Sequence, residues 1–123
     1  MLSLAGHLII KILYFSRNFG DAAKAGVKKA LGTGSKAPLL FFNTTKFPEA
    51  DFVTIIGALE ALYVPLEMRE DVPEKASKVS KLGIFGNYPK LDIAKAVEIG
   101  RIVSRDIGGS DPERMAAPKL VII

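Results

Sequence analysis

The stretch whose reading decides the fold is His7-Leu8-Ile9-Ile10-Lys11-Ile12-Leu13-Tyr14-Phe15-Ser16-Arg17-Asn18-Phe19-Gly20-Asp21, running on through Ala22 to Leu31. Leu8 to Phe15 is nearly all apolar and rich in β-branched and aromatic residues. It breaks into the polar Ser16-Arg17-Asn18-Phe19-Gly20 and then into an Ala/Lys-rich pattern. A continuous apolar run, a polar turn and a helix describe the start of a strand–helix unit whose strand is covered on both faces. Read this way, Leu8 to Phe15 is a central strand and residues 1–6 are a flexible leader.

The helix read after that turn covers Asp21 to Leu31. Phe19, Ala23, Val27, Ala30 and Leu31 fall on one apolar stripe. Asn18 is placed to cap it, Asp21 stands in the first turn, and Lys28 and Lys29 stand in the last, where they complement the helix dipole. Gly32-Thr33-Gly34-Ser35 ends it, with Gly32 as the left-handed terminating residue.

Downstream, the same unit recurs. Pro38 to Asn43 reads as a second apolar strand, and Thr44-Thr45-Lys46-Phe47 as its exit loop. Pro48 opens a helix with Phe52, Ile55, Ile56, Leu59 and Leu62 on its buried stripe. Tyr63 to Met68 reads as a third strand, with Pro65 confined to its start or an edge. Arg69 to Lys81 is charged and weakly patterned, with a short helix over Pro73 to Val79. Leu82 to Gly86 is a fourth strand. A last helix follows from Leu91 or Asp92 to Ile107, with Ile93, Ala96, Val97, Gly100, Val103 and Ile107 as its core stripe, Ile99 and Ile102 widening it, and Gly108-Gly109 stopping it. Ser110 to Pro118 connects to a fifth strand, Lys119 to Ile123. The expected architecture is one α/β domain over residues 1–123. It is a three-layer sandwich with a largely parallel five-stranded sheet, flavodoxin-like in strand order.

Composition narrows the function classes. A chain of 123 residues with 49% hydrophobic and 24% charged residues has the balance of a globular domain. It has no cysteine, which excludes disulfides, thiolate metal sites and a cysteine nucleophile, and its single histidine, His7, argues against a histidine-based zinc site. The absence of Cys and Gln beside abundant Lys and Glu is a thermophile-like bias. Met1 to Phe15 lacks the marks of a signal peptide and is too short to span a bilayer, so a cytoplasmic protein without a membrane partner is expected. Residues 1–46 hold seven Lys/Arg against Asp21 alone. That asymmetry fits either an anion-facing side or a solvated helix face.

In a parallel sheet, ligands gather at the carboxyl ends of the strands. The candidate ligand-binding residues are therefore Ser16, Arg17, Asn18 and Gly20 after the first strand, Asn43, Thr44, Thr45 and Lys46 after the second, and Asn87 and Tyr88 after the fourth. Arg17 and Lys46 supply charge, the hydroxyl and amide groups supply donors, and Tyr88 borders a ring; an anionic small molecule would suit the set. Caps and turns use the same residue types, so both explanations stand at this stage. No catalytic residue, cofactor or metal site is assigned: no nucleotide-binding fingerprint, nucleophile elbow or nucleic-acid motif is present. A non-catalytic protein that binds an anionic ligand or a protein partner at this rim leads. A structural or regulatory oligomer subunit is the first alternative. An enzyme using Lys46, Arg17 and a carboxylate on a phosphorylated substrate is the second.

Three segments, Gly20-Asp21-Ala22 at a helix start, Ala61-Leu62-Tyr63-Val64-Pro65-Leu66-Glu67-Met68, and Gly83-Ile84-Phe85-Gly86 leading to a helix, resemble the DsrE/DsrF-like family of small α/β sulfur-relay proteins. The resemblance implies a DsrE-like sheet and a homo-oligomer. The family's cysteine after the third strand is replaced by Met68-Arg69-Glu70-Asp71, which implies a member unable to carry persulfide.

Overall fold

The computed structural model describes residues 4–43, 47, 49–113, 115 and 116, with side chains described from residue 17 onward. The element order is α1 (Leu4–Gly32), β1 (Leu39–Leu40), α2 (Ala50–Glu60), α3 (Leu66–Asp71), a 3₁₀ turn (Pro73–Lys75), β2 (Gly83–Ile84) and α4 (Leu91–Gly109). Among the described residues the sheet is two short parallel strands, with Leu39 opposite Gly83 and Leu40 opposite Ile84. This overturns the three-layer, five-stranded sandwich, and with it the flavodoxin-like or DsrE-like sheet. The molecule is mainly helical.

The decisive stretch is helix throughout. Leu8 to Phe15 and Ser16 to Gly20 belong to a single 29-residue helix, α1, so neither a first strand nor an exit loop exists there. An apolar run of that length fits a helix as readily as a strand, and no proline interrupts it. Asn18 lies inside the helix, not at its cap. The expected stripe is correct from Ala23 onward: Ala23 and Val27 are buried, with Leu31 packed beside them. The helix includes Gly32 as its last residue, and the left-handed position falls two residues beyond it. Thr33 and Gly34 donate back to the carbonyls of Ala30 and Leu31, and Gly34 takes the left-handed conformation (φ 86°).

The other expectations divide in the same way. The second and fourth strands survive as β1 and β2 in shorter form. The helix after Pro48 survives as α2, with Ile55 buried and Thr54 back-bonded from Oγ1 to the Ala50 carbonyl at 2.6 Å. The third strand does not: Leu66–Asp71 is α3, which Pro65 precedes as its N-cap residue. Pro65 has an extended conformation there and places no demand on a ladder. The short helix over Pro73 to Val79 is the 3₁₀ turn alone. The fifth strand, Lys119 to Ile123, lies outside the described residues.

The core forms where α1 crosses α2. Ala23, Val27, Ala58 and Ala61 cluster, with Leu31, Leu40, Leu62 and Leu82 packed against them. The helices approach closely because Gly20 faces Gly57: a Cβ on Gly57 would run into the Gly20 carbonyl. Alanine and glycine thus make the contact, and among the described residues Ile55 is the largest side chain to be fully buried. Among the described residues no helix is long and apolar enough to cross a membrane.

Candidate functional site

Charge, more than polar loop chemistry, marks the described surface where α1, α2 and α4 meet. Glu60, the last residue of α2, accepts Lys24 Nζ from α1 at 2.5 Å and Arg101 Nη2 from α4 at 2.7 Å. Arg101 also reaches Glu98, on its own helix, at 3.3 Å, and Arg105 Nη1 donates to the other oxygen of Glu98 at 2.6 Å. Glu98 is 5% exposed. A buried carboxylate is tolerated only when paired and hydrogen-bonded, and here two arginines do this one turn and two turns further along the helix. The Lys24 hydrogen bond, with further support from Arg101, outweighs burial and draws the Glu60 pKa down from 4.5 to about 2.

A second arm continues the network. Tyr63 donates its hydroxyl to Asp106 at 3.0 Å, and Arg69 Nη2 meets the other carboxylate oxygen at 2.5 Å. Arg105 lies over the Tyr63 ring, 5.1 Å from its centroid. Burial, then the Asp106 hydrogen bond, raises the Tyr63 pKa, while the hydrogen bond to Asp106 raises that of Arg69. The network therefore ties α1, α2, α3 and α4 together through charged hydrogen bonds.

Beside it is a polar cleft of about 360 Å³ lined by Arg17, Gly20, Asp21, Lys24, Glu60 and Arg101, among others. Two of the residues singled out in the sequence thus line it, but from a helix face and not from a strand-exit loop. Arg17 is exposed and 4.0 Å from Asp21, an i,i+4 pair of small energetic value. Ser16 and Asn18 lie on the same helix. Lys24, Glu60, Glu98, Arg101 and Arg105 were missed, and the available signal was the spacing Glu98, Arg101, Arg105, which places three charges on one face of a helix.

The parallel strands bring one of the expected residues, Tyr88, against Phe42. At their exit ends the rings of Phe42 and Tyr88 stack, with centroids 5.0 Å apart and planes inclined by 24°. Asn43 and Asn87 adjoin these rings in sequence. Tyr88 donates its hydroxyl to the Phe85 carbonyl at 3.0 Å, across the left-handed Gly86 (φ 123°). Thr44, Thr45 and Lys46 lie outside the described residues. Ser16 to Gly20 is not part of this group, because the strand it was to follow is helix. Among the described residues no three His, Cys, Asp or Glu side chains form a group that could hold a metal ion.

The face of α4 turned from the network carries the largest departure from expectation. Ile93, Val97, Ile99, Val103 and Ile107, assigned to the core from their spacing, are all exposed, while Ala94 and Glu98 are buried.

No protein-family model matches the chain, and no solved structure matches it. The sequence is similar to a putative aminopeptidase of Caenorhabditis elegans, with 37% identity over 111 residues, which take in 85% of this chain and 21% of the relative. It is also similar to the probable cytosol aminopeptidase of Aeropyrum pernix, with 35% identity over 66 residues, covering 54% of this chain and 13% of that protein. The chain thus spans about a fifth of the length of the first relative and about an eighth of the second.

Proposed function

We propose that this chain is a non-catalytic, cytoplasmic docking module of an aminopeptidase-type protein, and that the apolar face of α4 holds its partner. The observation that carries the reading is the row Ile93, Val97, Val103 and Ile107, between 39% and 56% exposed along a helix anchored by its charged side. A contiguous apolar stripe in water is stabilised by being covered, at about 25 cal/mol per Å² of apolar surface. The two relatives support the context: in each, most of the polypeptide lies outside the matched stretch, so that stretch has neighbours to pack against. The mutual pairing of Lys24, Glu60, Glu98, Arg101 and Arg105 supports a role in holding structure together.

Two measurements test this. The chain is expected to release no chromophore from leucyl- or alanyl-4-nitroanilide; turnover above background rejects the non-catalytic assignment. Titrated against the worm relative expressed without its matched stretch, the chain is expected to form a one-to-one complex that the Ile93→Lys/Val103→Lys variant does not form. An equal complex with that variant rejects α4 as the docking face.

A second reading rests on the Phe42–Tyr88 stack. An anionic ligand bearing a ring would bind at the exit ends of β1 and β2, near Asn43 and Asn87. Thermal-shift screening with nucleotides and sulfate is expected to show stabilisation that Tyr88→Ala removes; no shift with any compound rejects it.

A further inference from the structure

The C-terminal end of α1, the segment before α3 and the loop after the 3₁₀ turn enclose a cleft of about 640 Å³, separate from the ionic network and from α4. Its apolar wall is Leu31, Val64, Pro65 and Met68, of which Val64 is buried and Met68 is 44% exposed. Its polar wall is Lys36, Lys75 and Lys78, with Glu74 as the single carboxylate among the described lining residues. Three ammonium groups against one carboxylate leave a positive surplus over an apolar floor.

Lys78 is the best placed of the three. Its side chain is half-buried, and Nζ donates to the Ala61 carbonyl just past the end of α2 at 3.0 Å. An ammonium has three donors, so that bond leaves capacity for an acceptor in the cleft. Burial first, and then repulsion from Lys28, lower its pKa. A bound anion would favour the charged ammonium and so oppose both effects.

We propose that this cleft binds a small monocarboxylate carried on an apolar body, with the carboxylate against Lys78 and the apolar part along Leu31, Val64 and Met68. Charge complementarity selects the head group and the apolar wall selects the body. A free aliphatic acid and the carboxyl terminus of an apolar peptide share this chemistry.

The experiment is calorimetric titration of the full chain with sodium octanoate, with N-acetyl-leucyl-leucine, and with octanol as the uncharged control. At least one of the two acids is expected to bind ten-fold or more tighter than octanol; which of them does so distinguishes an aliphatic acid from a peptide terminus. Lys78→Met is expected to weaken that acid about ten-fold, and Lys78→Arg to retain most of the affinity. Met68→Glu, at a position already open to solvent, is expected to abolish binding and keeps the proposal falsifiable should Lys78→Met fail to fold. Equal binding of octanol and the acids overturns the proposal, as does binding of neither acid or unchanged binding by Met68→Glu. None of these outcomes depends on the α4 docking face.

Discussion

Gly57 and Gly20 show how much one missing Cβ can decide. The two residues let the α1 and α2 backbones approach until a Cβ on Gly57 would overlap the Gly20 carbonyl, while a Cβ on Gly20 would sit 3.1 Å from both the Val53 carbonyl oxygen and its Cγ1. Backbone atoms cannot yield as a flexible side chain can. Gly57→Ala is therefore expected to destabilise the protein by about 2–3 kcal/mol, although alanine is the better helix former by about 1 kcal/mol. Gly26, on the same helix as Gly20, has nothing within 4 Å of its missing Cβ. Gly26→Ala is expected to gain about 0.5–1 kcal/mol. Urea unfolding of the two variants beside the parent measures both, and a raised midpoint for Gly57→Ala would mean that the helices do not meet as described. Gly20 reads in sequence as a turn residue because glycine is common in turns. Its use as a contact point depends on Gly57, 37 positions away, and nothing local announces that partner.

At the scale of elements, α4 shows why periodicity alone misplaces a core. Ile93, Val97, Val103 and Ile107 recur with helical spacing, so an apolar face was legible, and the helix itself was predicted close to its observed bounds. Spacing gives a face but not what covers it. The inward face here is Ala94, Glu98, Arg101 and Arg105, because Glu60, itself held by Lys24, is positioned to pair with Arg101. α2 was legible as a helix, although of its expected stripe only Ile55 is buried and Thr54, Gly57 and Ala58 take the inner positions, whereas Leu8 to Phe15 was not, since a continuous apolar run carries no period to separate strand from helix. Of the expected ligand residues, Tyr88 meets Phe42, which was not among them, where the two parallel strands align their exits. The inverted polarity of α4 has a measurable consequence. Glu98→Ala leaves Arg101 and Arg105 without their buried partner and is expected to destabilise the protein by about 2–4 kcal/mol. Val103→Ser, on the apolar but exposed face, is expected to change stability by no more than about 0.5 kcal/mol in the isolated chain. Chemical denaturation ranks the two, and the reverse order would place the core of α4 on its isoleucine and valine side.

Taken as a whole, the molecule joins its helices with small side chains and with charge. Ala23, Ala50, Ala58, Ala61 and Ala94 are buried, but each contributes little apolar area, so the Lys24–Glu60–Arg101–Glu98–Arg105 chain carries more of the cohesion than in a domain with a larger aliphatic core. Acid should expose this. The folded protein keeps Glu60 ionised down to about pH 2, whereas its ordinary value is 4.5. Protons therefore bind the unfolded chain first, and the stabilisation present above about pH 5 is lost as the pH falls towards 2. After allowance for the partial exposure of Glu60, the loss from this residue is expected to be about 1–2 kcal/mol. At the alkaline end the sign reverses: the raised pKa of Tyr63 means that the unfolded chain loses that proton first, so stability declines above about pH 10. Guanidinium would screen the ion pairs, so urea unfolding at intervals between pH 7 and pH 2.5 is the appropriate measurement. The Glu60→Gln variant is expected to be less stable than the parent at pH 7 and to approach it at pH 2.5, with a shallower slope between. Parallel slopes for parent and variant would mean that Glu60 is not the group through which acid loosens α1, α2 and α4.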